Sequence, residues 1–86
     1  MGLYFSNWQV LDGYHECLMS LHEVLTPILR VRVVKNGDGM FCPIVRDYGP
    51  PGKMVASAPV NENFDNAKII AIEKAKSFMR LCMLGV

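Results

Sequence analysis

The amino-acid sequence predicts a small α+β domain of α-β-β-β-α order, with a three-stranded antiparallel sheet and two helices packed on one face of it. Three observations carry that expectation. Leu11, Tyr14, Leu18, Leu21, Leu25 and Ile28 recur at alternating steps of three and four, the spacing of one buried helical stripe. Ile28 to Lys35 alternates, with Leu29, Val31 and Val33 on one side and Arg30 and Arg32 on the other, as in a half-buried strand. Ala67, Ala71 and Ala75 lie four residues apart, a smooth face suited to close packing of a second helix.

The first helix is expected to start at Ser6 and to stop near Leu25. Ser6 and Gln9 make the S-x-x-Q capping box, and Phe5 and Val10 occupy the staple positions. Gly13 then falls inside the helix, at a cost of about 1 kcal/mol relative to Ala. Pro27 disfavours helical geometry at Thr26 and sets the end.

Next comes the strand from Ile28 to Lys35, followed by Asn36-Gly37-Asp38-Gly39, whose Asn-Gly pair signals a hairpin. Met40 to Asp47 is the return strand. Pro43 inside it cannot donate to a ladder, which predicts an edge strand or a bulge there. Tyr48-Gly49-Pro50-Pro51-Gly52 reads as a turn, and Lys53 to Val60 as a weaker third strand. Asn63 or Asp65 caps the second helix, expected over about Asp65 to Met83. Phe78 and Cys82 continue its alanine line, and Lys74, Lys76 and Arg80 cluster in its later half, where cations suit the helix dipole. With the strands in register, Arg30, Arg32 and Arg46 share the uncovered face of the sheet with Cys42 and Ile44.

Eighty-six residues make one domain, spanning residues 1–86. A domain of this size buries only roughly 60–65% of its unfolded-chain surface. Hydrophobic residues are 51% of the chain, more than a small core holds, so part of that surface is expected to face a partner or a second copy. Nine basic and eight acidic residues give a net charge of +1, which argues against a general nucleic-acid binder. Cys17, Cys42 and Cys82 include no CxxC pair and read as reduced thiols of a cytoplasmic protein. The sequence MGLYFS lacks the basic region of a secretory signal, and no apolar run approaches the roughly 18 residues of a membrane span. Gly2 and Ser6 fit the myristoylation pattern, but Ser6 already has a use as the cap.

No catalytic, cofactor or metal site is expected. His15 and His22 are seven residues apart, about 10 Å along a helix axis and too far for one ion. The cysteines have apolar neighbours and read as inert. Neither glycine-rich stretch has the GxxxxGK[ST] pattern, and each leads into a strand rather than a helix. No carboxylate pair stands in an acid/base motif, so the chain is expected not to be an enzyme.

The α-β-β-β-α order resembles that of a double-stranded-RNA-binding domain over about Trp8 to Leu81. In that family, basic residues starting the last helix grip phosphates across a groove. Lys68 alone matches here, Asp65 stands where lysines are the rule, and Gly49-Pro50-Pro51 follows the second strand instead of the first. The resemblance is one of layout. It implies nucleic-acid binding as the alternative function and carries over no site residue.

The preferred expectation is a non-enzymatic protein-binding module acting by surface occupation. Small phage and mobile-element inhibitors of host machinery, anti-CRISPR proteins among them, are of this kind. A protein partner is expected, with a homodimer as a further reading. Six methionines and the apolar residues near the chain ends suit a contact surface. The residues assigned to partner binding are Phe5, Trp8, Arg30, Arg32, Arg46, Lys76, Arg80 and Leu84.

Overall fold

The computed structural model describes residues 2–21 and 24–84, and the side chains of residues 2–21 and 26–82. Among the described residues, six antiparallel strands form one sheet, and a single helix follows them: β1 (Leu3–Phe5), β2 (Gln9–Leu11), β3 (Tyr14–Leu21), β4 (Val24–Lys35), β5 (Phe41–Asp47), β6 (Met54–Ser57) and α1 (Phe64–Leu84). The sheet runs β1-β3-β4-β5-β6, and β2 pairs with β3 beside β1. The expected three-stranded sheet with two helices is therefore overturned. Strand makes up 47% of the described residues, and the region read as the first helix forms β2, β3 and part of β4.

The reason lies at Asp12 and Gly13. Leu11 pairs with Tyr14, so these two residues are the whole turn between β2 and β3. Gly13 takes φ 84°, a left-handed conformation that glycine adopts without the steric penalty a Cβ brings. Asp-Gly is a hairpin signal of the same kind as Asn-Gly. Ser6 is likewise no helix cap. Its N–H donates to the Leu18 carbonyl at 2.9 Å, and its Oγ accepts from the Leu18 N–H at 2.9 Å. The hydroxyl thus takes the place of a backbone acceptor where the edge of the sheet is interrupted between β1 and β2. Pro27 pairs with Ser20, at the register shift of the β3–β4 ladder.

Other expectations hold with adjustments. Leu29, Val31 and Val33 point together into the core, each at most 2% exposed. The 36–39 hairpin forms, but its left-handed residue is Gly39 at φ 78°, and Asn36 Oδ1 accepts from the N–H groups of Asp38 and Met40. β5 is an interior strand, and its register shift falls between Val45 and Arg46, not at Pro43. Pro43 is tolerated because its carbonyl accepts from Ala58, just past the end of β6. Its nitrogen faces the same side, where no strand residue needs a donor. The third expected strand is reduced to β6. Asn63 caps α1, accepting from the Asn66 N–H at 2.9 Å.

Ala67, Ala71 and Ala75 are fully buried and let α1 approach the sheet closely over Cys17, Met19, Leu29, Val31, Val33 and Val45. Phe78 and Met79 pack at the margin of this core, whereas Cys82 is exposed and ends the line. No described element covers the opposite face of the sheet. Burial pushes the Cys17 thiol up to about 12 from 9.0, and the neighbouring Glu16 charge adds to the shift.

Two outcomes follow from this architecture. Gly13→Ala lowers stability by about 1 kcal/mol in urea unfolding, the cost of a Cβ at positive φ, since nothing lies within 4 Å of that Cβ. A helical Gly13 would give the opposite sign. Stability also falls as pH rises. The part owed to neutral Cys17 is complete below pH 9.0 and is lost as pH climbs toward about 12. Urea midpoints of Cys17→Ala should show a shallower alkaline decline.

Candidate functional site

On the uncovered sheet face the residues lie in cross-strand rows. One row is Leu18, Arg30 and Arg46; the next is Gln9, Glu16, Arg32 and Ile44; a third is Leu11, Tyr14, Val34 and Cys42. The register that set Leu29, Val31 and Val33 into the core sets the three arginines together on this side. The sequence-based placement of Arg30, Arg32 and Arg46 on one mixed face agrees with this arrangement.

Glu16 organises the face. Its Oε2 accepts from Arg32 Nε at 2.6 Å and its Oε1 from Arg30 Nη1 at 3.1 Å. Its side chain is only 6% exposed, whereas those of Arg30 and Arg32 are 31% and 22% exposed. The carboxylate is thus buried while both arginine side chains bonded to it remain partly exposed. Each guanidinium is also stacked: Arg30 lies 4.5 Å from the centre of the Tyr48 ring, and Arg32 lies 4.5 Å from that of Tyr14. The series Tyr48–Arg30–Glu16–Arg32–Tyr14 is therefore continuous. Arg46 donates from Nη1 to the Gly52 carbonyl at 2.9 Å, which ties loop 49–52 to the sheet. Gly52 closes that loop at φ 76° with its N–H on the Gly49 carbonyl. The three arginines, both tyrosines and the loop enclose an open concavity of about 510 Å³.

The remaining expected contact residues lie elsewhere. Phe5 and Trp8 are half-buried against the core, with Phe5 opposite Met19. Trp8 also borders an apolar groove with Ile69 and Ile72 of α1. Lys76 and Arg80 are on α1, with Lys76 3.8 Å from Glu73. The helix lies on the other layer, so the basic residues do not form one surface. The side chain of Leu84 lies outside the described residues, as does His22. His15 packs its ring at a tilt against Phe64, with the ring centres 4.5 Å apart. Among the described residues, no group of three or more His, Cys, Asp or Glu is placed to hold a metal ion. No described helix is long and apolar enough to cross a membrane.

Sequence reasoning missed Tyr14, Glu16 and Tyr48. The Asp12-Gly13 turn was the signal for the first two, because it places Tyr14 and Glu16 on a strand with one parity. Nothing local marks Tyr48, whose position depends on the β5 register and the loop. Comparison with protein-family models, curated proteins and solved structures finds no match.

The cluster is asymmetric in what it tolerates. Glu16→Gln leaves two guanidiniums that water still reaches, and costs about 1–2 kcal/mol in urea unfolding. Arg30→Met with Arg32→Met strands a buried carboxylate and costs more, about 3–5 kcal/mol.

Proposed function

We propose that this chain is a non-enzymatic protein-binding module that docks an acidic segment of a partner protein on its open sheet face. The observation that carries the reading is the charge arrangement in the concavity. Three guanidiniums meet one carboxylate, and Glu16 already bonds two of them. The excess positive charge is held in fixed orientation by tyrosine rings and by the Gly52 carbonyl. Orientation of this kind lowers the ordering cost of binding, and arginine forks suit carboxylates through paired N–H donors.

The neighbours of the arginines favour a protein over a nucleic acid. Leu18, Val34, Cys42 and Ile44 are half-buried on the same face and offer apolar contact beside the charge. Arg30, Arg32 and Arg46 are gathered in one concavity, a short patch for a phosphate backbone to run along. The exposed thiol of Cys82 suits a reducing, cytoplasmic compartment.

Titration of the isotope-labelled chain with an oligoglutamate peptide tests this directly. Resonances of β4, β5 and loop 49–52 should shift, and Arg46→Gln should weaken binding about tenfold, the worth of one charge-assisted hydrogen bond. Shifts confined to α1 would refute the assignment of the face. Tighter binding of single-stranded DNA, falling steeply with salt, would replace the protein partner by a nucleic acid.

A further inference from the structure

We propose that the concavity among Arg30, Arg32, Arg46 and loop 49–52 is a phosphoryl pocket, built for a phosphorylated side chain of the partner protein. This rests on the reading of the open face as the docking surface and names the group that its centre takes.

Charge is the first argument. Three guanidiniums less one carboxylate leave an excess of two positive charges, and no acidic side chain lines the concavity itself. A phosphoryl group carries about −1.5 to −2 at neutral pH, which neutralises that excess; one carboxylate leaves half of it.

Geometry is the second. Arg30 and Arg46 are directly paired across β4 and β5, so their Cα atoms are about 5 Å apart. Arg32 is two residues along β4, about 7 Å from Arg30. All three arginines line the same concavity. A carboxylate presents two oxygens in one plane, and Glu16 already fills that role for Arg30 and Arg32. A phosphoryl group presents three terminal oxygens, one toward each arginine. The donors remain for it. Arg32 meets Glu16 through Nε, which leaves its two Nη groups; Arg30 uses Nη1, which leaves the Nε and Nη2 edge. Arg46 bonds the Gly52 carbonyl through Nη1 and keeps the same edge.

Preorganisation is the third. Tyr48 and Tyr14 stack on Arg30 and Arg32, and the side chains of both arginines are more than two-thirds buried. Partly desolvated, fixed donors bind an anion more strongly than mobile surface lysines do.

The experiment compares phenyl phosphate with benzoate, inorganic phosphate and phosphoinositide vesicles on the full chain by calorimetry, with arginine side-chain resonances as the site readout. Phenyl phosphate should bind about tenfold or more tighter than benzoate near pH 7.5. The preference should shrink near pH 5, as the phosphoryl group takes up its second proton with a pKa of about 6. Arg46→Lys should weaken phenyl phosphate about tenfold. Because the ligand comparison uses the unmodified chain, it does not depend on how the variant folds. Equal binding of benzoate and phenyl phosphate overturns the phosphoryl pocket, even where oligoglutamate still binds the face. Loss of all anion binding, oligoglutamate included, overturns the docking face as well. Tighter binding to the vesicles than to phenyl phosphate overturns the peptide source in favour of a lipid headgroup.

Discussion

The close approach of α1 to the sheet, made by three buried alanines, is the contact on which the rest of the molecule depends. Ala67, Ala71 and Ala75 have no side chain beyond Cβ, so the helix backbone lies near Val31, Val33 and Val45 with no gap to fill. Larger residues there would lift the helix and open the core, and a small core tolerates neither voids nor overpacking. Close packing also limits coverage. One helix crosses one face, centred on β4 and β5, and leaves the other face of the sheet to be finished by its own side chains.

The open face is finished with arginines, tyrosines and a few apolar side chains. Arginine stems lie across the sheet and shelter Glu16, and the tyrosine rings take the flanks. A buried carboxylate with two cationic partners adds little net stability when its desolvation is counted. What it does is hold guanidiniums in fixed positions. Scaffold and recognition chemistry therefore use alternate residues of the same strand, with Leu29, Val31 and Val33 inward and Arg30 and Arg32 outward along β4.

Much of this was legible in the sequence, and the failures have a common cause. The alternation of Ile28 to Lys35, the hairpin after it, the alanine line and the Asn63 cap are local signals that the fold respects. They sufficed to put Arg30, Arg32 and Arg46 on one face. The segment before them was misread because its hydrophobic contrast is weak. Cys17 and Met19 face the helix, but Tyr14 and Leu18 face away, so apolar residues occur on both parities and imitate a three-four spacing. Ser6 and Gln9 are spaced as a capping box, yet Ser6 Oγ finds a strand, not a helix end. Asp12-Gly13 held the decisive signal. Glu16 and Tyr14 could enter the site only after that turn turned the helix into strands.

The interruption at residues 6–8 has a consequence for the life of the protein in a crowded solution. A sheet with free edges is a template on which further chains can add. Here one edge is divided into β1 and β2, three residues each, and the other edge is β6 with four. An incoming strand finds no long uninterrupted row of amides on either side. With nearly half of its described residues in strands, the protein thereby resists edge-on polymerisation without placing a charge on every outward position.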